Sequence, residues 1–208
     1  MTQLILIRHG ETEWNRQHRM QGQSDSPLTE TGLRQARLLG QRMRDFEFAA
    51  LYCSDSGRAH HTARCVTEAT GHALTVDPRL RERHFGVFEG LTGPEMQAQY
   101  PDAYARFKSR DAHYAAPGGE SAQAFRDRAF ACLNEIAARH ADDLVVVVTH
   151  GLVCDIAYRA ANGIDLMARR DFALVNTGLN RFRIDNGAWR LEAWGEAGHL
   201  DATDTTVT

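Results

Sequence analysis

The stretch Leu4-Ile5-Leu6-Ile7 contains no polar residue and runs directly into Arg8, His9 and Gly10. A strand with one face in water alternates apolar and polar residues, whereas a strand covered on both faces reads as a continuous apolar run. The pattern returns late in the chain, where the run "LVVVVTHG" at 144–151 leads through Thr149 into His150 and Gly151. Strands of this kind need helices on both sides. Residues 3–8 and 144–149 therefore predict the centre of an α/β fold, a three-layer α/β/α sandwich with a mostly parallel sheet.

The intervening sequence supplies the outer layers. From the N-cap residue Thr29, "TETGLRQARLLGQRMRD" places Leu33, Ala36, Leu39, Gly40 and Met43 on one helical face. "AALYCSD" at 49–55 reads as a short strand, followed by a helix over "SGRAHHTARCVTEAT" that Gly71 closes. Ser121 caps a longer helix with Phe125, Ala129, Cys132, Leu133 and Ile136 as its core-facing stripe. Between these, Pro78, Pro94, Pro101 and Pro117 break the chain into loops and short helical pieces that are expected to border a site. "LNRFRI" and "AWRLEAW" flank Asp185-Asn186-Gly187 and predict a terminal hairpin. The polar tail, residues 199–208, is expected to be loose. A chain of 208 residues, 43% of them hydrophobic, can bury one sizeable core, so a single domain over 1–208 is expected.

Charge narrows the partners. The formal net charge is -3, with basic and acidic residues mixed along the chain, which leaves no stripe for nucleic acid and no polybasic patch for a membrane surface. No apolar stretch approaches the ~20 residues of a spanning helix, and the start lacks the pattern of a secretory leader, so a cytoplasmic location is expected. Cys53, Cys65, Cys132 and Cys154 form no C-x-x-C pair and read as small core residues. No metal site is expected: the adjacent His60 and His61 would diverge on a helix, and no other ligand spacing occurs.

In a parallel sheet ligands lie beyond the carboxyl ends of the strands, where both His9 and His150 fall. If the two strands are neighbours, the imidazoles meet across a crevice with Arg8 beside one and Thr149 beside the other. Arg58, at the start of the helix after the second strand, adds a second guanidinium where free backbone N–H groups already favour anions. Such a concentration of donors calls for an anionic guest, and the planar fork of arginine suits phosphoryl oxygens.

Four blocks in this order, "LIRHGETEWN", "SDSGRAHHTA", "LRERHFGVFEG" and "VVVVTHG", resemble the histidine phosphatase superfamily, in its phosphoglycerate mutase-like branch. The resemblance covers nearly the whole chain. It implies that His9 is the nucleophile, forming a phosphohistidine, and that Arg8, Arg58 and His150 hold the phosphoryl oxygens. Asn15 would assist from the loop, with the N–H of Gly151 nearby, and Glu82 would protonate the leaving oxygen. The residue types suit these roles independently. A neutral imidazole exists at cellular pH without a metal, and a carboxyl near the apolar Phe85 can have its pKa raised. The nitrogen of the His9 imidazole opposite the reacting one must be held as N–H, and the carbonyl of the Gly10 turn is within reach. Unplaced, Glu82 would read as a salt-bridge partner of Arg81 or Arg83. Gln21 and Gly22 are expected in a loop folding over the pocket, with an ordinary solvated turn as the plain alternative.

The expected function is a metal-independent phosphomonoesterase acting on a small phosphorylated substrate, with no cofactor. The alternative is a phosphoglycerate mutase, which would need 2,3-bisphosphoglycerate as primer. Mutases of the resembled branch carry an Arg-rich insertion after the acid block and a basic tail, whereas here only a compact segment separates Glu89-Gly90 from "PGGES" and the end "HLDATDTTVT" has no Lys or Arg. A catalytically idle phosphate-binding domain is a more distant reading. For acyl transfer through Ser54 or Ser56, the G-x-S-x-G elbow is absent and no base is assignable. Substrate selectivity would rest on whichever of Phe88, Met96, Tyr100, Tyr104, Phe107 and Tyr114 turn inward.

Overall fold

A computed structural model describes residues 1–207. In chain order the elements are β1 (Thr2–Arg8), the single turn α1 (Glu13–Arg16), α2 (Glu30–Met43), β2 (Ala50–Cys53), α3 (Gly57–Thr70), β3 (Leu74–Val76), α4 (Gly93–Gln99), α5 (Pro101–Lys108), α6 (Ala122–Arg139), β4 (Leu144–Thr149), α7 (Gly151–Asn162), β5 (Leu179–Asp185) and β6 (Ala188–Glu196). They build one six-stranded sheet of order β3-β2-β4-β1-β5-β6. The first four strands in that order are parallel, and the hairpin β5-β6 adds two antiparallel strands at one side.

The uninterrupted apolar runs have the predicted cause. Along β1, Leu4 and Leu6 enter one core with Val145, Val147 and the apolar stripes of α6 and α7. Ile5 and Ile7 point the other way, into a second core with Val146, Val148 and residues of α2 and α3. Each buried aliphatic side chain stabilises the fold by roughly 1.5–3 kcal/mol relative to exposure. The central strands are thereby rigid, and so is the place where they stop.

The caps follow the sequence. Thr29 accepts from the N–H of Gly32, Ser121 accepts from that of Ala124, and Gly71 closes α3 in the left-handed region. Asn186 and Gly187 both have positive φ, 48° and 80°, the geometry of a two-residue turn whose twist matches its hairpin. β3 has no counterpart in the sequence reading: it is three residues long at the sheet edge, with Leu74 half-buried and Val76 exposed, too short to carry a period. Cys53, Cys132 and Cys154 are buried and Cys65 is half-buried, all as free thiols. Burial pushes the first three up to about 12, which keeps them protonated and inert. No helix among the described residues is long and apolar enough to cross a membrane.

The tail corrects an expectation. Rather than hanging loose, residues 201–207 dock on the body: Asp204 is buried and accepts from Arg34 Nε and Nη2 at 2.9 and 2.7 Å. Gln35 Nε2 donates to Asp204 O (2.6 Å) and Thr206 Oγ1 (2.8 Å), and Val207 bridges to Val175. A polar tail docks here because the body presents buried amides to it, which tail composition alone does not reveal. Thr208 lies outside the described residues.

Candidate active site

In the parallel register of β1 and β4, Arg8 lies opposite Thr149, so His9 and His150 leave the sheet side by side. Their ring centroids are 5.4 Å apart in an edge-on arrangement. The backbone at His9 is held from three sides. Its N–H donates to Thr149 O (2.9 Å), its carbonyl accepts from Asn176 Nδ2 (2.8 Å), and the next N–H, of Gly10, donates to Thr62 Oγ1 (3.1 Å). Gly10 is required because a Cβ there would sit 2.6 Å from Gly32 O.

His9 Nδ1 lies 2.8 Å from Gly10 O. A carbonyl only accepts, so Nδ1 carries the hydrogen and Nε2 presents a lone pair. Arg58 Nε donates to that lone pair at 3.2 Å. Burial, with the guanidinium groups of Arg58 and Arg8 adding to it, holds His9 well below the ordinary imidazole pKa of 6.5. The ring is therefore neutral at pH 7, with a bare nitrogen facing cations.

Arg58, near the N-terminus of α3, is buried and bonded through all three nitrogens: besides Nε, Nη1 donates to Ser24 O (2.8 Å) and Asp25 Oδ1 (2.9 Å), and Nη2 to Gly22 O (2.7 Å). Arg8 Nη1 donates to Leu174 O at 2.9 Å, and burial lowers the Arg8 pKa to about 10. His150, also held below its usual range by burial and then by Arg58, lies 2.9 Å through Nε2 from Ser54 Oγ. Ser54 thus has a histidine at bonding distance where the sequence assigned no base. The serine is completely buried, so the contact orients His150 rather than arming an acyl-transfer nucleophile. Ser54 Oγ also lies 3.3 Å from Ser56 Oγ and has one hydrogen to give; in the tautomer in which that hydrogen goes to His150 Nε2, Nδ1 carries the ring hydrogen, and Nδ1 is buried with no partner among the described residues. An unsatisfied buried donor costs roughly 1–3 kcal/mol, which an anion arriving beside His9 would remove.

Glu82 follows a short 3-10 turn at Pro78–Leu80. Its carboxylate accepts from the N–H groups of Arg83 (2.9 Å) and Leu152 (3.0 Å), the latter in the first turn of α7. It forms no salt bridge with its neighbours: Arg81 pairs with Asp55, and Arg83 donates to Glu120 O and Tyr114 O. Burial raises the Glu82 pKa above the usual 4.5, outweighing the two N–H donors that pull it down.

The remaining candidates frame this centre. Asn15 is the third residue of α1 and completes the capping box of Thr12, its Oδ1 accepting from the Thr12 N–H and hydroxyl, and its side-chain NH₂ has no partner among the described residues. Gln21 is buried, with Oε1 accepting from Ser26 Oγ at 3.3 Å. Gly22 has φ +57° and supplies a carbonyl to Arg58. Gly151 starts α7 against Arg8, whose Nε would lie 3.5 Å from a Cβ there. Except for His150, fully buried beside His9, all nine candidates line one cavity of about 590 Å³. Of the six middle-segment side chains, Met96, Phe107 and Tyr114 reach this cavity; Phe88 is core, with Tyr100 and Tyr104 packed edge-on against it.

Glu89 plays a part the sequence did not assign. Its carboxylate accepts from the N–H groups of Gln23 (2.9 Å), Ser24 (2.8 Å) and Phe85 (2.9 Å) and from Ser24 Oγ (2.6 Å), pinning the loop whose carbonyls hold Arg58. A Cβ on Gly22 would run into that carboxylate, at a φ that disfavours L side chains. Gly22→Ala is therefore expected to cost about 1–3 kcal/mol, read as a lowered Tm, and to reduce kcat/KM by loosening Arg58. Also unassigned from sequence are Asp155, Arg159 and Arg170 on the far wall. Among the described residues no group of three or more His, Cys, Asp or Glu is placed to hold a metal ion.

Comparison with known proteins gives the family and the fold. The family model of the histidine phosphatase superfamily (branch 1) matches residues 4–197. Phosphoglycerate mutase-like protein 4 of Arabidopsis thaliana is 35% identical over 205 residues, covering 97% of this chain and 88% of its own. Among solved structures, YhfR of Bacillus stearothermophilus superposes with a TM-score of 0.86 at 36% identity, over 97% of this chain and 100% of that one. A mycobacterial glucosyl-3-phosphoglycerate phosphatase superposes at 0.80 with 31% identity, over 94% and 99%.

Proposed function

Since the chain belongs to the histidine phosphatase superfamily, branch 1, and so to a family of phosphoryl-transfer enzymes, we propose that it is a metal-independent phosphomonoesterase acting on small phosphorylated metabolites. The observation that carries this reading is the state of His9: Nδ1 is tied as a donor to Gly10 O, while Nε2 is bare and turned to Arg58.

The reaction follows from these groups. The Nε2 lone pair attacks phosphorus, the bond from phosphorus to the ester oxygen breaks, and that oxygen takes the proton of Glu82. Arg58 releases Nε2 and turns its N–H to a phosphoryl oxygen; Arg8, His150 Nδ1 and the Asn15 amide share the remaining charge. In the second half Glu82, now a carboxylate, takes a proton from water as the oxygen attacks phosphorus. The N–P bond breaks, and inorganic phosphate and neutral His9 result.

Water as final acceptor is supported by the compact lid of α4 and α5 and by likeness to a glucosyl-3-phosphoglycerate phosphatase. Likeness to a mutase-like protein favours a second reading, transfer back to a phosphoglycerate. One assay separates them. Purified protein is expected to release phosphate from monoesters at an undiminished rate in excess chelator, and faster than it interconverts 3- and 2-phosphoglycerate with 2,3-bisphosphoglycerate present. Interconversion outrunning release would establish the mutase, and loss of release in chelator would refute metal independence.

A further inference from the structure

The cavity is larger than a phosphoryl group needs, and its far wall is built around a carboxylate shared by two arginines. Asp155 on α7 is almost fully buried; it binds Arg159 Nε at 2.6 Å and Arg170 Nε at 3.0 Å. Arg159 is equally buried and donates its remaining reach to Asp165 O at 2.7 Å. Asp155 therefore neutralises Arg159, and Arg170 remains a net cation. Arg170 comes from the loop between α7 and β5. Its side chain is about one-third exposed, it lines the same cavity as His9, and its terminal nitrogens have no partner among the described residues. It is also near enough to Arg8 to help lower that residue's pKa. Positive charge thus gathers in this cavity although the whole chain carries -3.

We propose that Arg170 is a specificity-determining residue that grips a second anionic group on the substrate, so that the leaving alcohol itself carries a carboxylate or a second phosphate. This rests on the phosphomonoesterase reading. Both groups are anchored on the same helix. Glu82, the acid for the leaving oxygen, is anchored at the N–H of Leu152, and Arg170 is anchored at Asp155. The two anchor points are three residues apart on α7, about 4.5 Å along its axis, so the acid and the guanidinium are held by one rigid element at the same cavity. A guanidinium whose Nε is fixed by a carboxylate while both terminal nitrogens stay open is pre-oriented for a paired contact with an oxyanion.

The test is binding to His9→Ala protein, in which nothing is hydrolysed, so that the result does not depend on whether phosphate release is the right reaction. Calorimetry compares 3-phosphoglycerate with glycerol 3-phosphate, which differ by a carboxylate against a hydroxymethyl group, and adds propane-1,3-diol bisphosphate as the second-phosphate arm. At least one dianchored ligand is expected to bind about tenfold or more tighter than glycerol 3-phosphate, and the one that binds better identifies the anion. In the Arg170→Gln background that preference is expected to collapse, in Arg170→Lys to survive in part, and in Lys108→Gln, which removes a rim cation instead, to persist. Equal affinity for all three ligands, a preference untouched by Arg170→Gln, or one lost equally in Lys108→Gln would overturn the proposal. Phosphate release by the wild-type protein, measured separately, tests the underlying reading.

Discussion

His9→Ala is expected to abolish phosphate release, by about ten-thousand-fold or more, the scale on which removal of a covalent nucleophile acts. The magnitude reflects the absence of a substitute. His150 is the nearest imidazole, but its Nε2 is engaged by Ser54, and the Arg58 N–H that would leave His9 for the substrate has no other nitrogen to serve. The fold is expected to persist. His9→Ala gives up the ring's bond to Gly10 O, but the backbone contacts that hold this turn, to Thr149 and Asn176, remain. Far-UV circular dichroism should match wild type while phosphate release from simple monoesters falls to background. Wild-type protein quenched in alkali during turnover should carry one phosphoryl group on the peptide containing His9. Turnover near the wild-type rate in the variant would remove the nucleophile assignment.

Glu82→Gln has the second largest expected effect, about a hundred- to ten-thousand-fold in kcat/KM for alkyl monoesters, the range typical of general acid catalysis. The amide keeps the shape and can accept from Leu152 but has no proton of comparable acidity to give. The loss should shrink for an activated aryl ester, whose leaving oxygen needs little help. Attack requires neutral His9, so kcat/KM falls as pH drops through a His9 pKa that lies below 6.5. Protonation of the leaving group requires Glu82 in its acid form, so kcat/KM falls as pH rises through a Glu82 pKa that lies above 4.5. Wild type should therefore show a bell displaced to the acid side of neutrality, and Glu82→Gln should lose the alkaline limb while keeping the acid one. An unchanged profile in the variant would mean that another group donates the proton.

The framework was legible where local chemistry decides structure. Two buried runs ending in histidine defined the adjacent strands β1 and β4, and Thr29, Ser121, Gly71 and the Asn186-Gly187 turn marked boundaries through capping and backbone preferences that act within a few residues. Glu82 was legible by position in its block; nothing local separated it from a surface carboxylate. What stayed hidden depends on residues far apart in the chain. Ser54 meets His150 only because β2 lies beside β4, and Asp155 joins Arg170 only because the loop after α7 folds back. Three of the four hydrogen bonds of Glu89 reach across more than sixty residues to Gln23 and Ser24. The docked tail has the same origin: its partners Gln35 and Arg34 sit on α2.

That docking ties the turn after β1 to the 201–207 segment. The hydroxyl of Thr206 bridges the side-chain amides of Gln35 and Asn176. Gln35 in turn receives the N–H of Glu11, and Asn176 supports the carbonyl of His9. The seat of the nucleophile at 9–11 is thus finished by a segment far along the chain, so a growing polypeptide lacks its full set of supports until the 201–207 segment has been made.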